Sequence, residues 1–278
     1  MSTDVTIIVA TYDRPDWLAV SLASIRTSAA VARPHGIETR ILVVDDGSPN
    51  DRTRVAAEEA GVEYLRNPEN DGLANPVAAR MLGFAAVDSP YYAFFDDDDV
   101  MLPRWVRLHV EAMRRGVDVC STAYTWTDPD LVPDRTFVPD VATMGDLLAG
   151  RVSVNTHSLV RTVAAREAPW DPALENEYEY QLWLDLMLRG RHFDRLTEPT
   201  YLHRRHDAGI SNTTERDPRD AELRRLVIDR YRAKVLERDG VIPPPTPRPA
   251  APRPAPAPPP SLAGRVARRL RRVLAGGR

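Results

Sequence analysis

The chain has a single cysteine, Cys120, a single lysine, Lys234, and no stretch approaching ~20 consecutive apolar residues. A lone cysteine cannot close an internal disulfide, which is the usage expected in a reducing cytoplasm. The missing apolar run excludes a membrane-spanning helix. The opening Met-Ser-Thr-Asp-Val has neither the basic segment nor the apolar core of a secretory signal. A soluble, cytoplasmic protein is therefore the expectation. The scarcity of lysine makes arginine all but one of the 37 cationic residues, a bias we read as genomic base composition. No internal repeat interrupts the 278 residues, a length that can bury a substantial core.

Acidic residues are absent from 243–278, which carries eight arginines, although the whole chain has a net charge of −3. Residues 1–242 are thus strongly acidic. An acidic body lacks the basic face of a nucleic-acid binder, so no nucleic-acid partner is expected. Composition also sets the domain boundaries. Residues 1–242 form the globular domain, and 243–260 hold 11 prolines and form a polyproline-like spacer. In 261–274, Leu262, Val266, Leu270, Val273 and Leu274 fall along one helical stripe among five arginines, and the basic segment runs on to 278. Such a basic amphipathic helix suits the headgroup region of an anionic membrane, peripheral to its inner face.

Within the domain, apolar β-branched runs alternate with helix-period segments. Val5–Ala10, Ile41–Val44, Tyr64–Leu65 and Tyr91–Phe95 read as strands. Helices are expected after Pro15, over 51–60 with a stop at Gly61, over 74–86 and over 103–114. Alternating elements imply an α/β fold with a largely parallel sheet covered on both faces. The polar residues collect at the strand ends: Thr11-Tyr12-Asp13 after the first strand, Asp45-Asp46-Gly47-Ser48 after the second and Asp96–Asp99 after the fourth. In a parallel sheet these ends share one edge, where α/β folds bind ligands.

Four adjacent aspartates repel one another unless something neutralises them. Mg²⁺ or Mn²⁺, which prefers carboxylate oxygens and leaves positions open for phosphate, is the natural partner. A solvated acidic turn capping the next helix is the plainer alternative. The second acidic pair on the same edge favours metal–nucleotide binding.

The order of these segments resembles the family-2 glycosyltransferases of the GT-A fold. The resemblance runs from Val9-Ala10-Thr11-Tyr12-Asp13-Arg14-Pro15 through Val43–Ser48, Asn70-Asp71-Gly72-Leu73-Ala74 with Arg80, and Phe94–Asp99. It continues through Glu177–Leu186 to Arg205-His206 and Ile210-Ser211, and so covers about residues 5–211. It implies a Rossmann-like GT-A domain that moves a hexosyl group from a nucleoside-diphosphate sugar to a hydroxyl of a glycan or lipid-linked acceptor, with inversion, in cell-envelope or polysaccharide assembly. Thr11, Tyr12, Asp45, Asp46, Arg80 and Asp96 would line the nucleotide. Asp98, with Asp96 and His206, would hold the metal, and Asp97 or Asp99 could share that role. Alignment on Leu182-Trp183 places the general base at Glu179, with Glu177 as the alternative. The family's usual adjacent acidic pair is missing, its first member falling on Tyr178. Two other classes remain open at this point: a nucleotidyltransferase, and a catalytically silent GT-A module recruited to a membrane. The absence of a Gly-rich Arg/Lys loop near residues 10–20 counts against the first.

Overall fold

The computed structural model describes residues 3–68, 76–151, 154–168, 171, 174, 177–207 and 218–239. The proline-rich spacer, the basic tail, Asn70–Ala74 and Ile210-Ser211 lie outside the described residues.

The first half builds a parallel sheet in the order β3 (Glu63–Arg66), β2 (Thr39–Asp45), β1 (Val5–Thr11), β4 (Tyr91–Phe94). Successive residues of a strand face opposite sides. Accordingly Ile7 and Val9 enter one core with Val43 and Ala93, while Ile8 joins Leu42, Val44 and Phe94 in the other. Both cores are dry, which is why β1 reads as a continuous apolar run. The first core is closed by α1 (Pro15–Ala32), α2 (Arg52–Ala60) and α4 (Trp105–Arg114), through Leu18, Leu22, Ile25, Ala57, Trp105 and Val110. The second is closed by α3 (Val77–Ala85), α5 (Met144–Leu148), α6 (Thr162–Arg166), α7 (Tyr178–Leu188) and α8 (Pro218–Arg238).

Beyond β4 the sheet continues through β8 (Leu159–Arg161), β6 (Val119–Thr127), β9 (Phe193–Arg204) and β5 (Val100–Met101). β8 is antiparallel to both β4 and β6, and β6 is parallel to β9. Two reversals restore the original direction. The C-terminal ends of β1, β2, β4, β6 and β9 therefore all reach one edge of the sheet.

Gly83 sets how closely α3 lies on that sheet. A Cβ there would stand 2.5 Å from Ile8 Cγ2 and 3.0 Å from Val44 Cγ2, so only glycine lets the helix approach. That approach carries Arg80, one turn earlier, to the acidic edge. β6 runs on to Thr127, and β7 (Pro133–Phe137), a strand not expected from the sequence, pairs with it as an antiparallel hairpin. Every residue of β7 is exposed, so it lacks the apolar alternation that reveals a strand.

Candidate active site

The four aspartates leave β4 with alternating exposure. The side chains of Asp96 and Asp98 are 33% and 14% exposed, whereas those of Asp97 and Asp99 are 7% and 0%. The inward pair is consumed by the fold. Asp97 accepts from Thr11 Oγ1 at 2.6 Å, and Arg14 lies 3.4 Å from its other oxygen. Asp99 accepts from the Arg204 amide at 2.9 Å and meets His203 Nδ1 at 3.0 Å, which fastens the loop to β9. Burial pushes the Asp97 carboxyl up to about 7, with Asp98 adding to the shift and the Thr11 hydroxyl opposing it. Burial likewise raises Asp99 to about 7 against the pull of His203. Desolvation opposes the His203 cation, but the Asp99 carboxylate outweighs it and raises the imidazole.

Asp98 faces the end of β9. Its Oδ2 lies 2.9 Å from His206 Nε2 and 3.1 Å from Arg14 Nη1. The His206 side chain is only 5% exposed, and its Nδ1 is buried without a hydrogen-bond partner. Trp17 lies against the imidazole at 4.1 Å between centroids, and the guanidinium carbons of Arg14 and Arg204 lie 5.4 and 5.7 Å from the same indole.

Arg80 joins the two halves of the edge. Nη2 donates to Asp96 Oδ1 at 2.5 Å, and Nη1 donates to Glu179 Oε1 at 3.0 Å and to the Tyr178 hydroxyl at 2.8 Å. Tyr178 in turn donates to Glu179 Oε1 at 2.9 Å, and Thr156 Oγ1 donates to Oε2 at 2.7 Å. Burial works against the Arg80 cation, but Tyr178, Asp96 and Glu179 hold it firmly charged. Burial also raises Tyr178 well above its ordinary value, keeping it a phenol and a donor. Asp96 is held below the usual carboxylate range: burial opposes this, but Arg80, His157 and His203 prevail.

The remaining expected residues occupy three different settings. Asp45 is fully buried, accepting from Tyr64 Oη at 2.6 Å, from the Ser48 amide at 2.8 Å and from Arg66 at 3.3 Å. Asp46 accepts from Asn67 Nδ2 at 2.7 Å, and its amide donates to Thr11 O at 2.9 Å. Tyr12 is 51% exposed on the rim, beside Asp13, whose φ of 51° places the turn in the left-handed region that Asp tolerates. Glu177 faces elsewhere. Its carboxylate takes both arms of Arg224 at 2.7 and 2.8 Å, tying the start of α7 to α8.

His157 carries no motif, yet its Nε2 accepts the Asp96 amide at 3.2 Å and lies 3.3 Å from Asp99 Oδ2. Burial lowers it to about 4, so the ring is neutral. Among the described residues, Asp96, Asp99 and His157 form a further group with ligand atoms within 4.8 Å of one another. There, however, the imidazole lone pair is already engaged by the Asp96 amide. Arg14 and Trp17 were also unassigned. Their positions, one residue before and two residues after Pro15 on the first helical turn below the acidic loop, are the signal that could have found them.

A parallel α/β sheet with acidic turns and a distant carboxylate gathered at one edge is the GT-A architecture. Residues 6–140, just under half of the chain, match the family model described as glycosyl transferase family 2. The segment includes Thr11, Asp45, Asp46, Arg80 and Asp96–Asp99 and stops before Glu177, Glu179 and His206. No curated protein matches. Among solved structures, TarS of S. aureus is similar, with a TM-score of 0.62 and 15% identity over 85% of this chain and 43% of that one. TarS 1–349 in complex with UDP-GlcNAc gives 0.63 and 14%, covering 85% of this chain and 72% of that one. The complex of TarS 1–349 with UDP gives 0.59 and 14%, covering 87% and 73%. This chain thus spans less than half of the longer TarS chain, and at such identities the likeness is one of fold. Among the described residues, no helix is long and apolar enough to cross a membrane.

Proposed function

We propose that this chain transfers a sugar from a nucleoside-diphosphate sugar to an acceptor hydroxyl with inversion, using a divalent cation and Glu179 as the base. The observation that carries the reading is the single edge on which Asp98–His206 and, across Arg80, Glu179 converge. The residues fit a cation. Asp98 offers a carboxylate oxygen 2.9 Å from Nε2 of an imidazole whose other nitrogen has no hydrogen-bond partner, a mixed donor set that favours Mn²⁺ over Mg²⁺. Asp98 and His206 would hold it, Asp96 lying on the same exposed side of the loop. Bound there, the cation would offset charge developing on the departing diphosphate.

The protein's own residues supply the rest. Glu179 would accept the acceptor's proton as attack begins, a contribution of roughly 10²–10⁴-fold for a positioned base. Arg80, Tyr178 and Thr156 fix the carboxylate's rotamer, so the base is aimed before substrate arrives. Tyr12, exposed on the rim, is available to stack on the nucleotide base, and the Asp46 amide is held to the carbonyl oxygen of Thr11, the residue before Tyr12. Glu177, buried and turned away from that edge towards Arg224 on α8, is the poorer base. The UDP and UDP-GlcNAc complexes of TarS make uridine nucleotides the first donors to try. A basic tail at 261–278 on a proline-rich spacer would bring the domain to lipid-linked acceptors on an anionic membrane. Vesicle sedimentation should show salt-sensitive binding that is lost when 243–278 are deleted.

Calorimetry with UDP and Mn²⁺ tests the site. Asp98→Asn should abolish metal-dependent nucleotide binding while preserving the fold. Unchanged affinity in both Asp96→Asn and Asp98→Asn would disprove the assignment.

A further inference from the structure

Asp98 Oδ2 is shared. His206 Nε2 approaches it at 2.9 Å, and Arg14 Nη1 approaches the same atom at 3.1 Å, its guanidinium also reaching Asp97 Oδ1 at 3.4 Å. A divalent ion on Asp98 and His206 would therefore meet a guanidinium already paired with its principal oxygen. Two cations cannot both occupy that position without repulsion, which at such separations is large even with substantial screening. The Arg14 side chain is partly open to solvent: it is 29% exposed, it springs from the turn between β1 and α1, and the Trp17 indole 5.4 Å away offers it a second surface. A planar guanidinium fork also matches phosphate oxygens as well as it matches carboxylates.

We propose that Arg14 is an internal counter-ion for the acidic loop. It competes with the divalent cation for Asp98 and, once the cation is bound, transfers its pairing to the donor's diphosphate. This rests on the metal–nucleotide reading of the site and adds a coupling to it. The cation alone is held back by Arg14, and the nucleotide alone can take up Arg14 only by leaving Asp98 without a cation. Cation and nucleoside diphosphate together satisfy Asp98, Arg14 and the phosphates at once. By linkage the coupling is reciprocal: each ligand tightens the other by the same factor. The arrangement keeps the loop neutralised between turnovers and disfavours capture of a bare metal ion.

The test uses the full-length chain, with free Mn²⁺ counted by electron paramagnetic resonance in the presence and absence of saturating UDP. For the natural chain, UDP should tighten Mn²⁺ binding well over about tenfold. Arg14→Ala should bind Mn²⁺ alone about tenfold more tightly, the expected effect of removing a like charge a few ångströms away, and the UDP-dependent factor should shrink. Arg14→Gln, which keeps the side chain's length and loses its charge, should behave the same way and covers the case in which the alanine variant folds poorly. Weaker or unchanged Mn²⁺ binding in both variants without UDP overturns the proposal. Asp98→Asn separates the two levels. If that variant binds Mn²⁺ with UDP as the natural chain does, the metal site itself is misassigned and the competition falls with it.

Discussion

Replacing Arg80 by methionine is the sharpest structural perturbation available. The side chain is 10% exposed and satisfies Asp96 Oδ1, Glu179 Oε1 and the Tyr178 hydroxyl with one guanidinium, while stacking 5.5 Å over the Phe94 ring. Methionine fills most of the volume and leaves two carboxylates facing each other without a cation. Breaking a fully buried ion pair costs about 3–5 kcal/mol. Here Asp96 is 33% and Glu179 15% exposed, so water can recover part of that loss, and we expect about 2–4 kcal/mol. Arg80→Lys should recover a minor share, because a point charge cannot bridge both carboxylates. Urea denaturation measures the change. Combining Arg80→Met with Glu179→Gln should cost clearly less than the sum of the single changes, since the glutamine no longer needs the cation. A loss below about 0.5 kcal/mol, the range of an ordinary surface substitution, or strict additivity in the double variant would refute the bridging role.

Glu177→Gln should lower stability by about 2 kcal/mol by weakening two charged hydrogen bonds to Arg224, while changing turnover little. A large loss of turnover at unchanged stability would transfer the base to Glu177. The fully buried His109, stacked on Trp105 at 4.0 Å, is lowered to about 3, chiefly by burial. The folded ring stays neutral while the unfolded one protonates below about 6.5. Stability should therefore fall as pH drops from about 6.5 towards 3, by up to about 1.4 kcal/mol per unit from this residue. His109→Phe should flatten that slope relative to the natural chain in denaturation curves taken across the range, and an unchanged slope would contradict the assignment.

How much of this was legible in the sequence depends on the range of the interactions. The parallel half-sheet was readable because both its faces are dry, so β1, β2 and β4 stand out as apolar runs punctuated by acids. The convergence of Thr11, Asp46 and Asp96–Asp99 followed from strand direction alone. The antiparallel insertion of β8 and the exposed β7 hairpin have no comparable local signature. Inside the acidic run, sequence cannot say which carboxylate turns inward, because the partners of Asp97 and Asp99 are Thr11 and His203, 86 and 104 residues away. The same holds for Glu177 and Glu179. Both lie at the start of α7, and only Arg224 on α8 and Arg80 on α3 distinguish them.

In the proposed reaction Glu179 removes a proton while a nucleoside diphosphate departs. Its most direct test is to incubate UDP- and dTDP-sugars with Mn²⁺ and the natural, Glu179→Gln and Glu177→Gln proteins, with and without candidate acceptors, and to identify the nucleotide released. Free nucleoside diphosphate is expected from the natural and Glu177→Gln proteins, with Glu179→Gln slower by roughly 10²–10⁴-fold yet still binding donor. Equal rates for Glu179→Gln and the natural protein, or release of nucleoside monophosphate or pyrophosphate instead, would contradict that reaction.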